Sequence, residues 1–292
     1  MSMRCLAAGV GTLAALAMSM PASAVSTTRE LQARAVEQTI TPDGEIDEWA
    51  GLPRITVPLS GVEGADRVEL AAAIRGDRIY LLAIWDDPTK SDLHKPYRWN
   101  EAAHAYERTD PMEDRFAIAF AMSGAFTANK IDGSEFTADV WHWKANRSNL
   151  AGLAHDKWWR VSRTPFEGSR EFRTPSGEAV HLARPSDAGD QLYKPVRYHL
   201  KQNDIMPLYE VNLAPQGSIA DVQAKGVWRN GRWYLEMSRL LNTGHDDDTA
   251  IPSAGTVEIT VAVFDGVGNN VVDGGGHSVS EKLVLRTFAP SS

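Results

Sequence analysis

The feature that most constrains the fold is an alternation of apolar and polar residues with a period of two, broken by short turn signals. In the segment 226–238, Asn230-Gly231 separates two such runs. Asn-Gly favours a type I′ turn, which joins antiparallel strands, because both residues tolerate a positive φ. In the second run Trp233, Leu235 and Met237 fall on one face of the strand. The pattern predicts a β-hairpin with one buried face.

Other segments repeat this pattern along the chain. Residues 67–74 and 78–85 predict a second hairpin, and residues 257–263 alternate in the same way. Residues 116–122 are apolar on both faces, which predicts a central strand. Helical periodicity is weak outside residues 29–38. We therefore predict an all-β fold, a single antiparallel β-sandwich with a few short helices.

The stretch 164–216 is polar and rich in proline and glycine, with little core signal. Loops of this length are usually functional lids, partner surfaces or poorly ordered segments, and the sequence leaves these three alternatives open. We find no internal repeat and no clear linker. The pattern therefore predicts one domain over residues 25–292 with a long excursion at 164–216.

Residues 1–24 have the layout of a secretory signal peptide. A short basic start at Arg4 is followed by an apolar run and the small residues Pro21 to Ala24. We predict cleavage after Ala24 and export to a bacterial periplasm. The single cysteine of the chain, Cys5, leaves with this segment.

The charge and cysteine content of the remaining chain exclude several classes of function. Removing Arg4 leaves 29 basic and 38 acidic residues, a formal net charge of 29 − 38 = −9. Nucleic acid and anionic membranes are poor partners for such a chain, since both require a basic surface. Without cysteine there is no disulfide, iron–sulfur cluster or cysteine-based zinc site.

The run Trp141-His142-Trp143-Lys144, with Met122 upstream and His277 downstream, brings thioether, imidazole and amine ligands among aromatic residues. Such ligands suit a buried haem iron. On a strand, His142 and Lys144 share one face and the two tryptophans share the other. If the tryptophans point inward, His142 is a poor ligand. In the reverse register it becomes a candidate.

A series of motifs runs through nearly the whole mature chain. Its members are Asp43 to Trp49, Tyr80 to Pro88, Glu113 to Ile118, Asp139 to Lys144, Gly226 to Trp233 with Ser238-Arg239, and His277 to Ser280. Each motif is weak alone, and six in order are moderately specific. The series resembles the haem-binding γ-subunit family of ethylbenzene and dimethylsulfide dehydrogenases, the cytochrome c-552/DMSO reductase-like haem-binding domain.

The resemblance implies a β-sandwich that holds one b-type haem between its sheets and transfers electrons. It implies axial ligands from Met122 and His277. Lys144 is the alternative axial amine or, with Arg239 and Arg115, a partner of the propionates. Trp141 and Trp143 would wall the pocket, and Gly274 to Gly276 would let the backbone approach the haem.

The resemblance further implies that the chain is not itself a catalyst. Its partner would be a redox protein, either molybdenum and iron–sulfur subunits or a periplasmic cytochrome. Many similar chains carry a Cys-x-x-Cys-His attachment motif between the methionine strand and the Trp-His-Trp-Lys signature. Residues 126–133 occupy this interval here and contain no cysteine, so the expected cofactor is non-covalent haem b.

Two other functions are compatible with the sequence. The opening segment Asp43 to Trp49 is also similar to the start of family 9 carbohydrate-binding modules, which share the β-sandwich. Trp141, Trp143, Trp158 and Trp159 would then form a sugar platform, with Met122 in the core. A periplasmic interaction subunit that has lost haem is the third alternative. Only the haem protein would be coloured.

The acidic run His245 to Asp248 offers oxygen ligands for a divalent cation, although such runs are usually solvated loops. A hydrolytic site is not supported, because the chain has no G-x-S-x-G elbow. A nucleotide site is not supported either, because no glycine-rich loop follows a strand and opens a helix.

Overall fold

The computed structural model describes residues 28–61, 65–266 and 277–288. The predicted signal peptide, residues 1–24, and the predicted glycine approach at Gly274 to Gly276 lie outside the described residues. Within them the chain is almost entirely β-structure, which confirms the predicted all-β class. None of the helices in this part of the chain is long and apolar enough to cross a membrane.

The elements follow one another closely along the chain. The first strands are β1 (Glu30–Ala35), β2 (Ile55–Gly61), β3 (Arg67–Arg75), β4 (Arg78–Asp86), β5 (Tyr97–Asn100), β6 (Ala105–Arg108), β7 (Arg115–Gly124), β8 (Phe136–Lys144) and β9 (His155–Ser162). The next strands are β10 (Arg170–Arg173), β11 (Ala179–Ala183), β12 (Tyr193–Pro195), β13 (Ile205–Met206), β14 (Tyr209–Val211), β15 (Gln223–Arg229), β16 (Arg232–Leu240), β17 (Gly255–Phe264), β18 (Ser278–Ser280) and β19 (Leu283–Thr287). Short 3-10 helices occur at Asp47–Trp49, Asn149–Ala151 and Ser218–Ala220.

Most strands belong to one large sheet that folds back on itself. Its order is β10-β11-β9-β8-β7-β17-β18-β2-β3-β4-β16-β15, and these neighbours are antiparallel. Strand β1 pairs in parallel with β19 and β3. Because β3, β4 and β16 pack against β7, β8 and β17, the sheet has the two layers of the predicted sandwich.

The predicted hairpin at Asn230-Gly231 joins β15 and β16. Asn230 has a φ of +54° and Gly231 a φ of +75°, the positive values that a type I′ turn requires. Trp228 lies opposite Trp233 in the resulting ladder. The apolar face of β16 points into the sandwich, as its alternation predicts.

Large aromatic side chains fill the space between the two layers. Trp85 stacks on Phe116 with ring centroids 5.7 Å apart, and Trp143 meets Trp233 edge-on at 4.9 Å. Trp141 packs against Phe120 at 4.8 Å. These tryptophans are at most 1% exposed. The interior of the sandwich is therefore a packed core.

The opposite face of the β7–β8–β9 layer carries a second apolar cluster. Phe136, Val140 and Val161 belong to it, together with Val180 and Leu182 of β11. Strand β11 extends the sheet beyond β9, so the stretch 164–216 contributes more to the core than its sequence predicts. This outer face leads directly into the cavity described below.

Candidate cofactor-binding cavity

A cavity of about 650 Å³ lies on the outer face of the layer formed by β9, β8, β7, β17 and β18. This volume is within the range of small-molecule and cofactor sites. Ala117 and Ala262 face each other across β7 and β17 and form part of its floor. Small side chains at the centre of the floor leave the space that larger ones would fill.

The alternation of β8 decides which side chains enter the cavity. Trp141 and Trp143 point into the core, so His142 and Lys144 point outward into the cavity. His142 pairs with Ala117 on one side and with His155 on the other. The same row continues through Ala262 to Val279 of β18, and His277, just before β18, also lines the cavity.

The cavity is strongly cationic although the whole chain has a formal net charge of −8. Among the described residues, Glu281 is the single acidic residue in its lining. Six lysine and arginine side chains line it: Arg115, Lys130, Lys144, Arg147, Lys157 and Arg184. Cations gathered in a low-dielectric cleft raise the local concentration of anions. The arrangement therefore favours an anionic ligand.

Burial and mutual repulsion lower the pKa values of the lysines. The pKa of Lys144 falls well below its usual value because of burial and the charges of Arg147 and Lys157. Burial lowers the pKa of Lys130 to about 7 and that of Lys157 to about 8. Each amine would regain charge beside an anion, because an opposite charge favours the protonated form.

A hydrogen-bonded chain runs from Lys144 toward the surface. Lys144 Nζ lies 2.6 Å from His155 Nδ1, and His155 Nε2 lies 2.7 Å from the hydroxyl of Ser186. Burial and the neighbouring lysines lower the pKa of His155 far below its usual value. A neutral His155 accepts at Nδ1 and donates at Nε2, which fixes the orientation of the Lys144 amine.

His142 is the imidazole with an open nitrogen. Its Nε2 is shielded from solvent and has no hydrogen-bond partner among the described residues. The pKa of His142 is well below its usual value because of burial and the charges of Lys144 and Arg115. Its ring stacks on Phe264 at 5.6 Å, and Phe264 stacks on His277 at 4.8 Å. His142 therefore contributes a neutral imidazole to the cavity lining, and its buried Nε2 has no hydrogen-bond partner in the described part of the chain.

The Glu113-Asp114-Arg115 run holds the edge of the cavity in place. Glu113 accepts hydrogen bonds from the backbone N–H groups of Asn146 and Arg147, at 2.6 and 2.9 Å. Asp114 accepts from Ser91 N, Trp233 Nε1 and Gly266 N at 2.7 to 3.0 Å. The Arg115 guanidinium lies 4.3 Å from the centroid of Phe264. Three consecutive residues thus fix the loop after β8, the core and the cavity wall.

The loop between β7 and β8 closes another side of the cavity. Ala128, Asn129, Lys130 and Ile131 line it, and Lys130 Nζ lies 3.9 Å from the ring centroid of Trp159. The sequence predicts a haem-edge or partner-facing element at residues 155–159, but it assigns no ligand or propionate role to Lys130, Lys157, His155 or Arg147. The signal for two of them was present, because His155 and Lys157 repeat on β9 the i, i+2 spacing of His142 and Lys144 on β8.

The structure brings together only part of the predicted site. His277 and Lys144 line the cavity, whereas Met122 lines a separate cavity with Asp248 and Pro252. Met122 is five residues beyond Ala117 on β7, or roughly 16 to 17 Å at the rise of an extended strand. Met122 and His277 therefore do not converge on one ligand in this structure.

The other predicted contacts lie on the core face. Trp141 and Trp143 are fully buried between the layers, and Arg239 is buried with Asp139 and Asp248. None of these three side chains lines the cationic cavity, and their assignment as ligand contacts between the sheets stays a prediction. The physical reason is that the tryptophans themselves fill the interior. Their burial contradicts the alternative of a four-tryptophan sugar platform.

Comparisons with known proteins place the chain in a family. A search of curated proteins gives no match. The fold is similar to a family 9 carbohydrate-binding module from Caldicellulosiruptor kristjanssonii solved with glucose, at 11% identity and a TM-score of 0.41, covering 90% of this chain and 98% of that one. It is also similar to a putative carbohydrate-binding protein from Bacteroides uniformis, at 9% identity and a TM-score of 0.43, covering 90% and 100%. These similarities concern the fold alone. Residues 31–275 match the family described as ethylbenzene dehydrogenase, and the chain belongs to that family.

Proposed function

We propose that this chain is a non-catalytic, haem-binding electron-transfer subunit of an oxidoreductase complex, and that the cationic cavity holds a b-type haem. Family membership supports the oxidoreductase context. The observation that carries the cofactor assignment is His142, a neutral imidazole with an unpartnered Nε2, in the lining of a cavity that six cations share. A haem offers an iron that takes nitrogen ligands and two carboxylates that take cations.

The nitrogen donors of the cavity suit low-spin haem iron. His142, His277 and Lys144 all line it. We assign His142 as an axial ligand because its Nε2 has no other partner in the described part of the chain and its lowered pKa keeps it neutral. His277 retains the role that the sequence predicts. Lys144 stays the alternative amine, although it is already held by His155.

The cations suit the propionates. Arg115 and Arg147 offer planar guanidinium groups that can bind a carboxylate through two hydrogen bonds, and Lys130 and Lys157 add point charges. When bound, haem would supply one-electron redox chemistry. The protein side chains orient the group, neutralise its carboxylates and limit the access of water.

The loop at residues 126–133 supports the same location. In similar chains this interval carries the covalent attachment motif, and here four of its residues line the cavity. The loop contains no cysteine, so the proposed haem is held without a covalent bond.

The location and partners belong to the same proposal. The signal-like segment 1–24 supports periplasmic export and cleavage after Ala24. The partner is a redox protein, either molybdenum and iron–sulfur subunits or a periplasmic cytochrome. The negative net charge of the chain speaks against nucleic acid.

Visible spectroscopy of ligand variants tests the proposal. We expect the haem-loaded protein to give a low-spin b-type spectrum. His142→Ala and His277→Ala should each lose low-spin features or haem, whereas Met122→Ala should keep the spectrum. If Met122→Ala alone lost the spectrum, Met122 would be an iron ligand, as the sequence predicts. A colourless wild-type protein would refute the haem assignment and favour glycan or partner binding.

A further inference from the structure

Four carboxyl groups gather on the core-facing side of β8 and β9, behind the cavity. They belong to Asp139, Asp156, Asp187 and Asp248, each at most 8% exposed. Carboxylate oxygens of Asp139, Asp156 and Asp248 lie within 4.8 Å of one another. Asp187 joins them, because its backbone N–H donates to the Asp156 carbonyl at 3.3 Å and its carboxyl contacts that of Asp156. We call these four residues the acidic cluster.

Arg239 is the cation that contacts the acidic cluster most closely. Its Nη1 donates to Asp139 Oδ2 and to Asp248 Oδ1, both at 2.7 Å. Asp156 is 3.6 Å from the same nitrogen, which is beyond hydrogen-bond distance. One guanidinium therefore serves two of the four carboxylates and leaves the other two without a hydrogen bond from it.

Five oxygens of the acidic cluster are shielded from solvent and receive no hydrogen bond from an N–H or hydroxyl group among the described residues. They are Asp139 Oδ1 and both carboxylate oxygens of Asp156 and of Asp187. Burying a carboxylate without a partner is strongly unfavourable. The protein alone leaves this cluster short of positive charge.

We infer that the acidic cluster binds a divalent cation, with Ca²⁺ as the best fit, through Asp139, Asp156 and Asp187. Carboxylate oxygens are hard ligands, which Ca²⁺ and Mg²⁺ prefer. The burial of the cluster favours Ca²⁺, because Mg²⁺ usually keeps several waters.

The site would tie together parts of the chain that are far apart in sequence. Asp139 lies on β8, Asp156 on β9 and Asp187 on the loop after β11. Asp248, held by Arg239, adds the loop after β16. A cation at this point would fix the strand pair whose other face carries His142 and Lys144. The inference does not depend on the haem assignment.

Calcium titration of the full chain tests the inference. The protein is stripped with EDTA, exchanged into metal-free buffer and titrated with CaCl₂ by calorimetry, and its thermal unfolding is followed by circular dichroism. We expect one Ca²⁺ per chain and a midpoint raised by about 5 to 10 °C at a hundredfold excess over Kd. Asp156→Asn and Asp187→Asn should each weaken binding at least tenfold.

Asp246→Asn is the matched control, since Asp246 is an exposed acidic residue in the neighbouring loop. It should bind Ca²⁺ like the wild type. No binding and no shift of the wild-type midpoint would overturn the inference and indicate that the buried carboxyls share protons instead. Unchanged binding in Asp156→Asn and Asp187→Asn would place any calcium elsewhere and overturn it equally. If one variant does not fold, the other gives the result.

Discussion

The two faces of the β8–β9 strand pair carry opposite charges. His142, Lys144, His155 and Lys157 point from one face into an open cavity. Asp139 and Asp156 point from the other face into the packed interior. Both faces are electrostatically unbalanced within the protein alone. The cationic face has room for a large anionic ligand. The acidic face offers buried carboxylate oxygens that receive no hydrogen bond from an N–H or hydroxyl group in the described part of the chain.

This comparison explains why the buried charges are retained. A buried charge is tolerated when it is paired, and otherwise its pKa shifts. The pKa values of lysines and histidines fall on one face, and those of aspartates rise on the other. Both shifts have burial as the first cause and like charges as the second. We infer that a ligand of opposite charge completes each face.

The largest expected effect comes from removing the cation of the acidic cluster. Arg239→Met leaves Asp139 and Asp248 without their shared guanidinium, and breaking such a buried pair costs about 3–5 kcal/mol of unfolding free energy. Urea unfolding measures this value. Arg173→Ala, which removes an exposed ion pair with Glu171, is the control and should cost about 1 kcal/mol or less. Equal effects would mean that the cluster does not depend on Arg239.

Removing a cation from the cavity should raise the free energy of unfolding, the opposite of the effect expected for Arg239→Met. Lys144→Met removes one of six cations, and the lowered pKa of Lys144 shows that its charged form is disfavoured in the folded protein. We expect the ligand-free variant to be more stable than the wild type at pH 7. The pKa of Lys144 is lowered on folding, so its penalty grows as pH falls below the unfolded value. The stability of the variant minus that of the wild type should therefore be larger at pH 7 than at pH 10. The opposite order would show that the charge of Lys144 does not destabilise the empty cavity.

Haem affinity should depend on pH through Lys130. Its pKa of about 7 in the empty cavity means that it becomes charged as pH falls from 9 to 6. The charged amine attracts a propionate, so affinity should rise about fivefold over this range. Absorbance titrations at several pH values measure it. Lys130→Met should reduce the slope and leave the part that Lys157 contributes, whose pKa is about 8. A wild-type profile that instead falls toward acid would exclude this role.

The smallest effect is expected at the outer end of the hydrogen-bonded chain. Ser186→Ala removes the 2.7 Å contact with His155 Nε2, and one such hydrogen bond contributes about 0.5–1.5 kcal/mol. Ser186 is exposed, so we expect the lower part of this range. Chemical unfolding gives the value. A loss as large as that of Arg239→Met would show that His155 is held mainly from this end.

The sequence predicts the fold well because its signals are local. The alternation of β16 and the turn at Asn230-Gly231 depend on neighbouring residues, and both are found as predicted. The division of β8 into a tryptophan face and a His142–Lys144 face is also local. The position of the ligand, inside or outside the sandwich, is not determined by local signals. It depends on how many large side chains the two layers bring together.

The predicted ligand pair shows that residue type alone does not determine which side chains meet in the fold. Met122 and His277 are both compatible with haem by residue type, yet a strand places Met122 about five residues from the cavity floor at Ala117. The cations Lys130 and Arg147 come from loops, whose course the local pattern does not determine. The acidic cluster needed four segments of chain to meet, and the run at 245–248 indicated only one of them.

A haem titration of two cavity-filling variants beside the wild type tests most directly whether the cationic cavity holds the haem. Ala262→Phe fills the cationic cavity, whereas Ala250→Phe fills the separate cavity next to Met122. We expect one haem per chain in the wild type and in Ala250→Phe, and none in a folded Ala262→Phe. Haem bound by Ala262→Phe as tightly as by the wild type would show that the cationic cavity is not the site.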